Sequence, residues 1–191
     1  MMIKRAFIFI VTLYVISIAL NSCGCRRPTY YYLWKDFSIE IIDNTSFGQN
    51  PNHLNPNEPI AITKLGFRVH SVLDRPIQRQ AKFNIVSEVQ AGVCFPERLH
   101  SITSIEIKAR SEDKIEIDAT SLFRGRRDWS REENSIDKLI RIVNRWPQTD
   151  MFDLVLRDNS IDLTGKQTFE ITITFDDGIV LTQKTEELTL I

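Results

Sequence analysis

Apolar side chains recur at every second position through much of the chain. Phe37, Ile39 and Ile41 alternate with Ser38 and Glu40, and Ile105, Ile107 and Ala109 alternate with Glu106 and Lys108. Ile115, Ile117 and Ala119 flank Glu116 and Asp118, and Phe152, Leu154 and Leu156 repeat the rule. The longest instance sets Phe169, Ile171, Ile173 and Phe175 against Glu170, Thr172 and Thr174. Successive strand side chains point to opposite faces, so each run predicts a strand with one dry and one wet face. Asp176-Asp177-Gly178 then predicts a hairpin, because glycine supplies the positive φ of a tight turn and aspartate suits its start. The returning strand is expected within 179–190. Between Ile60 and Leu73 the alternation slips by one position at Lys64-Leu65, as it does at a β-bulge. A further strand is expected over 81–89.

One segment follows a different period. Ile136, Leu139, Ile140, Val143 and Trp146 share one helical face, which predicts a short helix within 131–145. Ser130 and Glu133 have the spacing of a capping box, and Pro147 stops the helix at or before Trp146. Residues 50–59 (NPNHLNPNEP) carry turn-forming asparagine and proline without apolar periodicity and read as a loop. About eight strands with irregular turns and no strand–helix alternation predict a mainly β fold, an antiparallel β-sandwich with one short inserted helix.

The first residues have a separate logic. Lys4 and Arg5 precede an uncharged run of 15 residues, Ala6 to Leu20. Such a run fits a signal-peptide core and falls short of the roughly 20 apolar residues of a membrane-spanning helix. It ends in Leu20-Asn21-Ser22-Cys23, which resembles the lipobox of bacterial lipoproteins in its Bacteroides-type form. The resemblance implies cleavage before Cys23 and lipid on its thiol, with the membrane as partner through that lipid. Asn21 departs from the alanine or glycine of the strictest lipobox, and a secreted protein or an uncleaved anchor are the alternatives. The expected domains are a signal peptide (1–22), a lipidated N-terminus and tether (23–35) and a β-sandwich domain (36–191). Arg26 and Arg27, rather than acidic residues, follow Cys23, which tilts the expected location towards the periplasmic face of the outer membrane over the cell surface.

The charge balance is near neutral, with 24 basic and 25 acidic side chains. That excludes the basic footprint of a nucleic-acid binder. An oxidising compartment permits a disulfide between Cys25 and Cys94, the alternatives being two free thiols or an intermolecular bridge. At the level of the whole domain the chain resembles the small lipoproteins of Bacteroides-type bacteria that carry an immunoglobulin-like β-sandwich. The lipobox, the strand ITSIEI (102–107) and the closing hairpin FEITITFDDG (169–178) carry that resemblance. These motifs are structural, so the resemblance transfers no catalytic residue.

Candidate chemistry is sparse. His53, His70 and His100 are far apart and match no metal-ligand spacing, and no nucleophile elbow, P-loop or dinucleotide motif is present. No cofactor, metal or catalytic residue is assigned from the sequence. Arg124, Arg126, Arg127 and Trp129 lie in an unusual basic segment, where arginine forks and an indole face suit an anionic glycan, headgroup or acidic protein. The alternative there is a solvated loop whose arginines pair with Asp128, Glu132 and Glu133. Tyr30, Tyr31, Tyr32 and Trp34 either offer stacking faces or open the first strand. The expected function is a lipid-anchored envelope binding or accessory protein without catalysis, whose partner is an envelope protein or a glycan. A carbohydrate-binding lipoprotein supporting glycan uptake is one alternative, and a hydrolase with a cryptic carboxylate pair is the other.

Overall fold

In the computed structural model, residues 30–46, 50–73, 77–78, 97–98, 100–113, 115–127, 130–145 and 151–191 are described. Their elements are β1 (Tyr30–Tyr32), β2 (Trp34–Asp43), β3 (Leu65–Leu73), β4 (Ile77–Gln78), β5 (Glu97–Arg98), β6 (Ile102–Ser111), β7 (Glu116–Asp118), β8 (Phe123–Arg127) and β9 (Glu133–Asn134). The helix α1 (Ile136–Arg145) follows, and then β10 (Met151–Leu156), β11 (Gly165–Phe175), β12 (Val180–Lys184) and β13 (Leu188–Leu190). The fold is mainly β. One antiparallel sheet has the order β2-β3-β10-β8-β9 and a second has the order β12-β11-β6-β7. A small set, β4-β1-β5, joins β1 to β5 in parallel.

The period-two pattern decides which faces meet. Phe67 of β3, Phe123 of β8 and Phe169 of β11 pack ring on ring across the two sheets, with centroids 5.0–6.1 Å apart. Trp34 lies between Phe152 and Phe175 at 6.4 and 5.9 Å. The amphipathic face of α1 closes one flank of this core with Ile136, Leu139, Ile140 and Val143. Burying each such side chain contributes up to about 1.5–3 kcal/mol. Leu139 sits so close to β8 that a Cβ on Gly125 would lie 2.5–2.8 Å from its side chain, so only glycine fits beneath it. Asn144 ties the helix to β6 like a strand partner, accepting from Ile102 N (2.9 Å) and donating to Ile102 O (2.8 Å). On the opposite flank Gln183 of β12 donates to Asp36 of β2 at 2.8 Å.

The closing hairpin follows the sequence closely. Thr174 pairs with Val180 and Glu170 with Lys184, and Gly178 takes φ +86° in the turn. The return strand then divides. Thr185 inserts its hydroxyl into the ladder, accepting from Phe169 N at 3.0 Å, and β13 resumes the pairing one residue out of register. Two details depart from the sequence reading. The phase slip at Lys64-Leu65 is a 3-10 turn over Ile62–Lys64 that leads into β3, with Lys64 N bonded to Ala61 O, and not a bulge inside a strand. The helix is capped by Ser135, whose hydroxyl accepts from Lys138 N at 3.3 Å, and not by Ser130. Glu133 cannot serve a capping box because its backbone is committed to β9 beside Arg126. Residues 81–89, Trp146 and Pro147 lie outside the described residues.

Candidate functional site

The outward face of the first sheet carries a row of charges that crosses all five strands. Register places Glu40 of β2 beside Arg68 of β3, Arg68 beside Asp153 of β10, Asp153 beside Arg126 of β8, and Arg126 beside Glu133 of β9. Signs alternate along the whole row. Its centre is dry: Arg68, Asp153 and Arg126 are 1, 0 and 3% exposed. Asp153 accepts from Arg68 Nε (2.7 Å) and Nη2 (3.1 Å), and from Arg126 Nε (3.3 Å) and Nη2 (3.0 Å). Arg126 also donates to the carbonyls of Asn44 (3.3 Å) and Ser46 (2.6 Å). Residues 44–46 thus cross over the sheet and cover Arg126. Asn44, itself buried, fastens that crossing through its amide to Thr63 O at 2.7 Å. At one end Glu133 binds Arg157, whose hydrogen bond holds the carboxyl below its ordinary range. At the other end Glu40 Oε2 lies 2.9 Å from His70 Nε2 and 3.8 Å from His53 Nδ1.

A second cluster sits at the tip of the β11–β12 hairpin. His100 Nδ1 lies 2.6 Å from Asp177 Oδ2, and Asp176 Oδ1 accepts from Ser101 N at 3.1 Å. Asp176 N in turn donates to Ser101 O at 2.9 Å, so the turn and the residues leading into β6 are bound to each other twice. One donor atom from each of His100, Asp176 and Asp177 falls within 4.8 Å of the others.

A third cluster lies on the outer face of the second sheet. Glu116 bonds to Lys108 Nζ and Arg110 Nη2, both at 2.8 Å, and these bonds lower its carboxyl to about 2. It borders a recess of about 180 Å³ shared with Thr168, Glu170 and Lys184. Another recess of about 150 Å³ is lined by Ile62, Thr63, Leu156, Arg157, Asp158 and Asn159. Both are below the roughly 300–1,000 Å³ of sites that enclose a small molecule.

These placements revise the sequence reading of the arginine segment. Arg124, Arg126 and Arg127 belong to strand β8, not to a loop. Arg124 is exposed and Arg127 half-buried, while Arg126 is buried and serves Asp153, so it is closed to an external ligand. The three arginines therefore do not form one accessible grip. Trp34 is likewise 3% exposed and offers no stacking face. The backbone of Tyr30–Tyr32 forms β1. Cys23, Cys25, Cys94 and Trp129 lie outside the described residues. The sequence reading missed Arg68 and Asp153. A charge at a strand position flanked by apolar residues, as in Phe67-Arg68-Val69 and Phe152-Asp153-Leu154, was the available signal, but it is the same signal that any wet strand face gives.

Among the described residues no helix is long and apolar enough to cross a membrane. No protein-family model, curated protein or solved structure matches the chain.

Proposed function

We propose that the protein is a lipid-anchored binding or accessory module of the cell envelope that works without catalysis, its domain an immunoglobulin-like β-sandwich held at the outer membrane by lipid on Cys23. The observation that carries this reading is Leu20-Asn21-Ser22-Cys23 directly after the apolar run from Ala6 to Leu20. Two acyl chains or more give stable attachment where one does not, and the lipobox chemistry supplies them. β1 begins at Tyr30, so a tether from Cys23, at ~3.5 Å per residue, spans at most about 25 Å. The domain would therefore work close to the membrane surface. Its shallow recesses and polar outer faces suit contact with another envelope protein or a glycan better than enclosure of a small molecule. Arg26 and Arg27 favour the periplasmic face.

The test is Cys23→Ser in the producing cell, read by fatty-acid labelling, by mobility of the processed form and by membrane fractionation. Loss of label with release of the protein from the membrane is expected. Unchanged processing and unchanged membrane association in Cys23→Ser would overturn the reading.

A further inference from the structure

The cluster at the hairpin tip brings three side chains of metal-ligating type together from two chain segments. Asp176 and Asp177 are adjacent carboxylates on an exposed turn, and among the described residues no lysine or arginine pairs with either. The imidazole of His100 enters from a different chain segment. Its ring stands edge-on to Phe175 at 6.3 Å, which fixes its plane. Its Nε2 is buried, with no hydrogen-bond partner among the described residues, so Nδ1 is the nitrogen turned towards the carboxylates. The two bonds between Ser101 and Asp176 hold the two segments in this relation before anything binds. Like charges side by side repel, and a cation between them reverses the sign of that term.

We propose that His100, Asp176 and Asp177 bind a divalent transition-metal ion of the zinc type, with the remaining coordination positions open to solvent. One imidazole nitrogen and two carboxylate oxygens match the ligands that zinc accepts, and three protein ligands with open positions distinguish a reactive or bridging site from a closed structural one. At 2.6 Å, Nδ1 and Oδ2 stand at hydrogen-bond distance, closer than two ligands of one ion. When the metal binds, the hydrogen between them leaves to solvent and the two donors part by about 0.8 Å, to the ~3.4 Å that tetrahedral ligands at ~2.1 Å require. The carboxylates are exposed, so the open positions face outward, where water or a donor group from a partner molecule completes the shell. Glu40, His53 and His70 form the rival cluster, but the 3.8 Å from His53 to Glu40 leaves it looser. This site is independent of the lipid-anchor reading.

The experiment uses the full chain in detergent, without a histidine tag, titrated with Zn2+ by calorimetry and with Co2+ by absorption. One ion per chain is expected, with a cobalt spectrum that lacks thiolate charge transfer, which excludes the cysteines as ligands. Asp177→Asn, a mild change in an exposed turn, should weaken binding at least about tenfold. His100→Gln should do the same, and His70→Gln should leave binding unchanged. Circular dichroism establishes that each variant is folded. Absence of binding to the parent chain, a folded Asp177→Asn that binds as tightly as the parent, or loss of binding in His70→Gln would each overturn the proposal.

Discussion

Replacing Asp153 with asparagine removes the carboxylate that Arg68 and Arg126 both grip, with almost no change in volume. The four hydrogen bonds at Asp153 are divided between its two oxygens. Asparagine keeps one oxygen: with its N–H2 group in place of Oδ1 it faces Arg68 Nε, donor against donor, and in place of Oδ2 it faces donors of both guanidiniums. At least one guanidinium N–H then loses its carboxylate acceptor in a place that water does not reach, and two buried positive groups are left without the negative charge between them. Bonds to charged groups contribute about 1.5–3 kcal/mol each, and breaking a buried ion pair from one side costs about 3–5 kcal/mol, so a loss of about 3–5 kcal/mol is expected. In urea, with a slope near 2 kcal/mol/M, the unfolding midpoint should fall by about 1.5–2.5 M at unchanged slope. The control is Glu40→Gln, at the far end of the same row. Glu40 is 43% exposed, where water and salt screen the charge, so its removal should cost less than about 1 kcal/mol. Burial, not membership of the row, sets the energy. Equal midpoint shifts for Asp153→Asn and Glu40→Gln would refute it.

Other expectations follow from single contacts. Gly125→Ala forces a methyl against Leu139 and should destabilise by about 1–3 kcal/mol, with Leu139→Ala in the same chain relieving the clash; additive effects in a thermal double-mutant cycle would count against the close approach. Asn144→Ala removes both bonds to the backbone of Ile102, so a loss of about 1–3 kcal/mol and faster hydrogen exchange at the Ile102 amide are expected. Glu116 has a folded-state pKa of about 2, below its ordinary value, because Lys108 and Arg110 donate to it. A lowered carboxylate pKa stabilises the fold above the unfolded value, and that contribution fades as pH falls from the ordinary glutamate range through about 2. Stability of the parent chain should therefore drop more steeply over that interval than stability of Glu116→Gln, and parallel curves would show that these surface bonds carry no linkage.

Strong alternation made the second sheet legible. In β11 every inward position is Phe or Ile from Phe169 onward and every outward one is polar, so face, length and turn all agreed. The first sheet was harder, because β10 is buried on both faces and its one charged residue looks like a wet position. Whether Asp153 meets water or two guanidiniums depends on the register of β3, β10 and β8 and on where residues 44–46 cross, tertiary facts absent from local pattern. The same limit hid the hairpin-tip cluster: His100 stands far from Asp176 and Asp177 in the chain, and only the pairing of β6 with β11 brings them together. Ser135 and Ser130 both precede the helical stripe. The competing claim of β9 on Glu133, invisible in sequence spacing, decides between them.

The segment just ahead of β3 is threaded against β13. Ile60 N binds Thr189 O, Ile191 N binds Ile60 O, and Ile62 N binds Ile191 O. The lead-in to the first sheet is thereby laced to the last described strand of the second. The backbone of residues 60–62 is satisfied only when both sheets are in place, so the two should melt together in a single cooperative step, with no stable half-formed species. The partners are distant in sequence, and closing so wide a loop delays the reward for making the contact. Folding should accordingly be slow and late, completed only when the chain through Ile191 is available to be laced in.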